Sequence, residues 1–162
     1  MNRIPAISLA LAAALCGAGY AQTAVKHIQT EKAAIASAVW AGDTLYVSGQ
    51  LPSPVTPADP AKGTKAVWGD TKTQATSAFA KIEGILKEQG LGMGDVVMMH
   101  VYMLGDPAMG GKLDFAGMNS AFTEYFGSKS QPNKPARSTV QVAALAAPGP
   151  LLEIEVTAVK AK

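Results

Sequence analysis

The chain has 162 residues, with 14 lysines and arginines against 12 aspartates and glutamates, and its formal net charge is +2. Its basic residues are scattered and only 6% of its residues are aromatic, so the clustered basic face of a nucleic-acid-binding protein is not expected. The length suits one ordinary domain and excludes a second one of comparable size.

The N-terminal segment combines a short basic start with an apolar run. Arg3 precedes an alanine-rich stretch at 4–18, and small residues follow it up to Ala21. This pattern is typical of a secretory signal peptide that is cleaved after Ala21. Because the stretch is shorter than the roughly 20 residues that span a bilayer, we expect no stable membrane anchor and a periplasmic or secreted protein. Removal of residues 1–21 leaves 141 of the 162 residues, 22–162, as a single domain.

The residues that commonly bind metals are rare in this chain. Its only cysteine, Cys16, lies in the predicted signal peptide, and its two histidines, His27 and His100, are far apart in the sequence. No metal site is therefore expected. No glycine-rich phosphate loop joins a strand to a helix, and no cofactor is expected. His100 is interpreted as a core or interface residue with a hydrogen-bond partner.

The first half of the domain predicts a β-hairpin, a long loop and a helix. Two β-type runs flank a tight turn between residues 34 and 50. Residues 52–69 contain four prolines and no periodicity, which indicates a surface loop. Asp70 or Thr71 can then cap a helix that ends near Gly90. Its apolar positions recur at helical spacing, at Ala75, Phe79, Ile82, Ile85 and Leu86.

The second half predicts a strand, a helix and two final strands. The run 96–104 is nearly all apolar and short, which favours a buried strand. A loop at 105–112 leads to a helix at 113–127, where apolar residues again follow helical spacing. Two strands, at 138–143 and 152–159, complete the chain.

The predicted order β-β-α-β-α-β-β favours an α+β fold of two layers, with both helices on one face of a mixed or antiparallel sheet. The other face of the sheet then lacks a cover. Because the strand at 96–104 is apolar on both faces, one of these faces would meet water in a lone monomer. We therefore expect copies of the chain to associate through the open sheet face.

Four stretches of the sequence carry a resemblance to a known family. They are Ser48-Gly49-Gln50, Asp95-Val96-Val97, Asp114-Phe115-Ala116-Gly117-Met118-Asn119, and Pro135-Ala136-Arg137-Ser138 with the later Glu153-Ile154-Glu155. Together they resemble the Rid family, the YjgF-type proteins that include enamine and imine deaminases. The resemblance extends over about residues 33–159, and its most specific part is the last of the four stretches.

The resemblance implies a chorismate-mutase-like fold and a homotrimer whose sheets form a central barrel, with ligand clefts between the subunits. It also implies that Arg137 binds the carboxylate of a substrate and that Glu153 acts on the water that attacks an imine carbon. The further substrate-binding positions that it implies are Ser48, Gly49, Asn119 and Thr139.

Elementary chemistry agrees with these two roles. Arg137 is the only arginine in residues 22–162, and its planar fork can bind a carboxylate through two hydrogen bonds, which lysine cannot reproduce. A carboxylate near an imine can position water or transfer protons. In the alternative, Arg137 pairs with Glu153 or Glu155 across adjacent strands. The two glutamates should share one face of a regular strand, so they could exchange roles.

Three departures from the family pattern concern the substrate. Ile35 stands where deaminating members carry a tyrosine before the hairpin, and Thr139 stands where cysteine is frequent. The loops at 52–69 and 105–112 are longer than in short cytoplasmic members. Asn119 either helps to cap the cleft or only occupies the surface of its helix.

The sequence thus predicts an enzyme that hydrolyses small 2-imino or enamine acids to 2-oxo acids and ammonia, without a cofactor. The alternative is a non-catalytic trimer that binds small carboxylates or carbonyl compounds in the same clefts, and the missing tyrosine favours it. A ribonuclease activity finds no support in the charge or in a histidine pair. The expected partners are a small molecule with a carboxylate and further copies of the chain, and neither nucleic acid nor membrane is expected.

Overall fold

The computed structural model describes residues 23–161, so the predicted signal peptide lies outside the described residues. Within them, no helix is long and apolar enough to cross a membrane. The helices and strands, in chain order, are β1 Val25–Ile28, β2 Ala38–Ala41, β3 Thr44–Gln50, α1 Thr71–Glu88, β4 Val96–Met103, α2 Phe115–Tyr125, β5 Ala136–Gln141 and β6 Leu152–Val159.

The described strands form one six-stranded sheet in the order β1-β2-β3-β6-β4-β5. β4 and β5 run parallel, and the other neighbouring pairs are antiparallel. The prediction of a mixed sheet is therefore confirmed. β1 was not predicted, because four residues with mostly exposed side chains give little periodic signal. It forms the edge of the sheet next to β2.

Both helices pack on the same face of the sheet, as predicted. α1 begins after its N-cap Asp70, whose Oδ1 accepts a hydrogen bond of 2.8 Å from the backbone N–H of Thr73. Gly90 adopts a φ of 74° just past its end. The largest fully buried side chains come from both helices and from the central strands, and include Phe79, Ile82, Leu86, Met99, Met103, Met118, Phe126 and Ile154.

The alternation of residues along β6 separates the two faces of the sheet. Leu152, Ile154, Val156 and Ala158 are buried on the helix side, whereas the residues between them are half-exposed on the other side, at Glu153, Glu155, Thr157 and Val159. We call this second side the open face. β4 was predicted to be apolar on both faces, but it presents His100 and Tyr102 to the open face. The open face is therefore mixed in polarity.

The two long loops are irregular, as predicted, but short local pairings shape them. In the loop 52–69, Thr56 pairs with Val67 and Asp59 with Thr64. The loop 105–112 is closed by a similar pair between Asp106 and Lys112.

Candidate active site

Arg137 lies on β5, the edge strand, and points to the helix side of the sheet. It is paired in register with Met99 of β4, which is fully buried under the helices, and residues paired in this way share a face. The Arg137 Nη2 donates a hydrogen bond of 2.7 Å to Oδ1 of Asn119 on α2. Asn119 is thus a contact of Arg137 and does more than occupy the helix surface.

Two aromatic rings of α2 lie beside the guanidinium group of Arg137. Its central carbon is 4.5 Å from the ring centre of Phe122 and 5.8 Å from that of Phe115, within the range of cation–π attraction. Burial lowers the pKa of Arg137 from its ordinary value. The group nevertheless remains charged at neutral pH, because the unperturbed pKa of arginine is so high.

The other terminal nitrogen of Arg137 is left without a partner. The Nη1 atom is buried and donates to no hydrogen-bond acceptor among residues 23–161. The buried Oγ1 of Thr139, two residues further along the same side of β5, also lacks a partner within the described chain. Buried polar atoms without partners cost free energy, most of all when they are charged. A carboxylate that enters beside β5 would satisfy the Nη1 donor.

Glu153 lies on the open face of β6, in close contact with Gly49 of β3. A Cβ atom added at Gly49 would overlap the Glu153 Oε1 atom, so a larger residue there would force the Glu153 side chain to move. The β3–β6 register is also irregular between Val47 and Gln50, next to this contact. The sequence element Ser48-Gly49-Gln50 therefore makes room for the carboxylate of Glu153.

The two glutamates of β6 share the open face, as predicted, but their surroundings differ. Oε1 of Glu155 accepts a hydrogen bond of 3.1 Å from the Tyr102 hydroxyl and lies 3.0 Å from Nδ1 of His100. Desolvation, followed by this hydrogen bond, raises the pKa of Tyr102. Within the described residues, the Glu153 carboxylate has no such contact. Glu153 is therefore the carboxylate that is available to a ligand.

His100 has the hydrogen-bond partner that the sequence analysis expected. Its pair with Glu155 supplies only two potential metal ligands. Within residues 23–161, no group of three or more histidine, cysteine, aspartate or glutamate side chains is arranged to hold a metal ion.

A cavity of about 420 Å³ lies between the segment that follows β1, the end of β3 and the end of α1. Ser48, Gly49 and Ile35 belong to its lining. The Ser48 hydroxyl donates a hydrogen bond of 2.7 Å to the carbonyl oxygen of Ala36. The volume falls within the range of small-molecule sites, about 300–1,000 Å³. Gly49 also contacts Glu153, but Glu153 itself does not line the cavity.

The structure brings the predicted site residues together in two separate groups. The first group lies on the helix side of β5 and α2 and consists of Arg137, Asn119 and Thr139. The second lies where β3 meets β6 and consists of Ser48, Gly49 and Glu153. Three inter-strand spacings, about 14 Å in all, separate β3 from β5. A single chain does not place all six residues around one ligand.

The alternative in which Arg137 pairs with Glu153 or Glu155 across adjacent strands is wrong within one chain. β4 lies between β5 and β6, so the two strands are not neighbours. The side chain of Arg137 also points to the helix side, whereas both glutamates lie on the open face.

Sequence reasoning did not identify Phe122 as a contact of Arg137. A signal for it existed, because Phe122 follows Asn119 by three residues on a helix and such residues share a face. Phe122 was assigned only to the apolar stripe of α2, so its contact with Arg137 was not predicted.

Comparison with protein families and solved structures places the chain among known relatives. The family model described as Endoribonuclease L-PSP matches residues 26–160. A RutC family protein of Pyrococcus horikoshii is 37% identical over 123 residues, which cover 76% of this chain and 84% of the relative. A protein of Dermatophagoides farinae named 2-iminobutanoate/2-iminopropanoate deaminase is 32% identical over 108 residues, or 67% of this chain and 72% of the relative.

Solved structures share the fold. The crystal structure of yeast Mmf1 matches with a TM-score of 0.64 and 29% identity. The match covers 85% of this chain and 100% of the yeast chain. A putative endoribonuclease from Thermotoga maritima matches with a TM-score of 0.63 and 27% identity, over 85% and 98% of the two chains. These similarities confirm the resemblance inferred from the four sequence stretches, and the chain belongs to the Endoribonuclease L-PSP family, which includes the YjgF and RutC proteins.

Proposed function

We propose that this protein hydrolyses small 2-imino acids, or their enamine tautomers, to 2-oxo acids and ammonia in clefts between the subunits of a homotrimer. The observation that carries the proposal is the guanidinium group of Arg137. Asn119 and Phe122 hold it in place while its buried Nη1 lacks a partner within the described residues. The deaminase name of the Dermatophagoides farinae relative supports the class of reaction.

In this proposal, Arg137 binds the substrate carboxylate. The hydrogen bond from Nη2 to Asn119 and the face of Phe122 restrict rotation of the guanidinium group. Its free Nη1 then donates to one carboxylate oxygen. Hydrogen bonds between charged groups are shorter and stronger than neutral ones, and they orient the substrate as well as bind it. A fixed carboxylate in turn fixes the adjacent imine carbon.

Glu153 supplies the proton transfers. It accepts a proton from water as the water oxygen adds to the imine carbon and the electron pair of the carbon–nitrogen double bond moves to nitrogen. Glu153 then returns the proton to this nitrogen. As the tetrahedral intermediate collapses, Glu153 takes the hydroxyl proton and delivers it to the amine nitrogen, the carbon–nitrogen bond breaks, the hydroxyl oxygen becomes the carbonyl oxygen of the 2-oxo acid, and ammonia leaves. One water is consumed, and the balanced reaction needs no redox cofactor.

The proposed reaction requires a second copy of the chain. Because one chain holds Arg137 and Glu153 on opposite faces of its sheet, the Glu153 group of one subunit has to meet the Arg137 group of another. The open face also exposes Tyr46 and Val140, by 52% and 47%, which association would cover. Light scattering on residues 22–162 should give about three times the mass of one chain. A stable monomer at micromolar concentration would contradict the proposed cleft.

We further propose that the protein acts outside the cytoplasm. The signal-peptide pattern at 1–21 supports export followed by cleavage after Ala21. Intact-mass analysis of periplasmic material should then find a chain that begins at Gln22. A membrane-bound protein that retains Met1 would contradict this.

One assay tests the proposed activity. Purified residues 22–162 are added to 2-iminopropanoate or 2-iminobutanoate generated in situ, and the decay of the imine is compared with that in buffer. We expect faster decay, which Arg137→Lys and Glu153→Gln should both reduce. Calorimetry with pyruvate should show that only Arg137→Lys weakens binding.

The same assay tests the second candidate function, a non-catalytic carboxylate-binding trimer. The cavity favours it in one respect, because Ile35 lies in a lining that contains no tyrosine hydroxyl. Binding of pyruvate without any acceleration of imine decay would support the binding protein and contradict the enzyme.

A further inference from the structure

We infer that association of copies through the open face takes up protons at His100, so that the assembly becomes tighter as the pH falls from mildly alkaline to mildly acidic values. This rests on the homotrimer of the proposed function and adds a means of regulation to it. Three observations carry the inference. They are the distribution of charge between the two faces of the sheet, the pairing of His100 with Glu155, and the concave place in which this pair lies.

The open face lacks permanent positive charge. The strand register assigns alternate residues of each described strand to this face, and none of them is lysine or arginine. The two cationic residues of these strands, Lys26 and Arg137, are in register with residues of the helix side. The face carries two carboxylates, those of Glu153 and Glu155. Within the described strands, the only side chains that can bring positive charge to this face are therefore histidines.

His100 lies beside one of these carboxylates. It is paired in register with Glu155 across β4 and β6, and its Nδ1 is 3.0 Å from Oε1 of Glu155. Because an ionised carboxylate can only accept a hydrogen bond, the hydrogen of the neutral ring is assigned to Nδ1. A proton that binds at Nε2 then converts this hydrogen bond into an ion pair. The other histidine of the face, His27, lies on the edge strand β1, and three strands separate it from β4.

The ionisable groups next to His100 on the neighbouring strands are a tyrosine and two carboxylates. On its own strand, the Tyr102 hydroxyl donates a hydrogen bond to Glu155. On β6, Glu153 is in register with Tyr102. On β5, the residue in register with His100 is Ser138, which carries no charge. The Glu155 carboxylate is therefore the charge that a protonated His100 balances.

The pair lies in a concave part of the open face. His100 and Glu155 line a cavity of about 260 Å³ together with Tyr46 of β3. In the single chain water reaches the pair, since the two side chains are 39% and 40% exposed. A second copy that covers this face would close the cavity and remove the water, which raises the cost of an unbalanced charge. Glu153 escapes this cost, because in the proposed trimer it meets Arg137 of a neighbouring subunit.

Closure of the cavity therefore favours protonation of His100 in the assembly over the single chain. A group that binds its proton more tightly in one state stabilises that state fully at low pH, and this stabilisation is lost as the pH rises. Histidine changes its charge between about pH 5 and 8, so the effect falls within this range. One net proton taken up per trimer changes the dissociation constant of the trimer by up to about tenfold per pH unit.

The test follows the dissociation of residues 22–162 on dilution, by sedimentation velocity, at about pH 6 and about pH 8. Ionic strength is held constant, and a chelator is present so that metal ions do not supply the missing charge. We expect the concentration at which half of the trimer has dissociated to be about tenfold lower at the acidic pH, the effect of one net proton over about two pH units. Equal concentrations, or a tighter trimer at the alkaline pH, would overturn the inference.

Two substitutions test the pair itself. His100→Gln keeps a hydrogen-bond donor beside Glu155 but cannot become charged, so it should remove most of the pH dependence. Glu155→Gln removes the charge that needs balance, and its trimer should be tight at both pH values. His27→Gln is the matched control, because His27 lies on the same face at its edge, and it should keep the wild-type pH dependence. Circular dichroism checks the folding of each variant. Wild-type pH dependence in folded His100→Gln and Glu155→Gln would contradict the role of the pair.

A failure of the proposed function can be told apart from a failure of this inference. A trimer that dissociates with the expected pH dependence but does not accelerate imine decay supports the inference and contradicts the enzyme. A trimer that accelerates imine decay but dissociates equally at both pH values overturns the inference alone. A monomer at every pH and concentration contradicts the proposed cleft and overturns both.

Discussion

The two faces of the sheet come from alternate residues of the same strands, yet they differ in burial and in polarity. On the helix side of β6, Ile154 is fully buried in an apolar core. On the open face its neighbour Glu155 takes part in a polar cluster with His100 and Tyr102. Burial under the two helices therefore stabilises the fold, while the open face can carry polar groups for association and chemistry.

Arg137 is the exception to this division. It lies on the helix side, but on the edge strand β5, where its surroundings are one amide and two aromatic rings of α2. The margin of the helix layer therefore leaves space for a charged group that the centre of the core could not accept. The proposed site uses this margin of one subunit and the open face of another.

The largest expected effect is on the helix side of β6. Ile154→Ala removes three buried carbon atoms from the core and should lower the free energy of unfolding by about 2–5 kcal/mol. Thr157→Ala, on the open face of the same strand, should cost less than about 1 kcal/mol. Urea denaturation at one protein concentration measures both, because association would make stability concentration-dependent. Equal losses would contradict the division between the faces.

The second largest effect is expected on ligand binding by Arg137. Arg137→Lys keeps the charge but loses the fork, so binding of pyruvate should weaken by about 1.5–3 kcal/mol, the range for hydrogen bonds to charged groups. This corresponds to roughly a tenfold to hundredfold rise in Kd. Calorimetric titration and a thermal melt are run on both proteins. Unchanged affinity with a lower Tm would show that Arg137 only supports the packing of α2 on β5.

A smaller effect on the free energy of unfolding is expected from the N-terminal cap of α1. Asp70→Ala removes the N-cap of α1 and should cost about 0.5–2 kcal/mol. Hydrogen bonds from the side chain and backbone of Thr73 lower the pKa of Asp70. Since this pKa is lower in the folded state, the stabilisation is complete above the unfolded-state value of about 3.9 and declines as the pH falls through the folded value.

The control for this prediction keeps the cap and removes only the charge. Asp70→Asn should retain most of the stability at neutral pH, because asparagine is also a good N-cap. Its unfolding should lose the pH dependence that Asp70 contributes. If Asp70→Asn and Asp70→Ala destabilise equally, the charge rather than the cap is responsible.

The smallest expected effect lies on the open face. Glu155→Gln should change the free energy of unfolding by no more than about 1 kcal/mol, because the His100–Glu155 pair is partly solvated. The pKa of Tyr102, which desolvation and Glu155 raise, should fall toward its ordinary value. Ultraviolet titration against wild type measures this change. Glu153→Gln is the control and should have less effect, so an equal shift in both variants would contradict the assigned contact.

The sequence by itself determined the features that depend on local periodicity. Helical spacing and the caps at Asp70 and Gly90 predicted α1 closely, and the alternation along β6 placed Glu153 and Glu155 on one face. The four family stretches identified the residues of the candidate site. These features can be predicted from sequence because each depends only on residues within one helical turn or one strand.

Some local features were still missed or displaced. β1 has four residues, too few for a clear alternation. β5 was predicted at 138–143 but occupies Ala136–Gln141, so Arg137 lies within the strand. The apolar residues of β5 gave no sign that the strand begins at Ala136. Its start is set by the backbone pairing of Ala136 with Met98 of β4.

Only the tertiary structure decided how the site residues are distributed in space. β5 lies parallel to β4 and away from β6, although β6 follows it in sequence, and this order separates Arg137 from Glu153. No local pattern encodes which strands become neighbours, because strand order depends on how the whole sheet packs under its helices. The same packing left Nη1 of Arg137 without a partner among the described residues, and it placed Gly49, which lines a cavity, against Glu153.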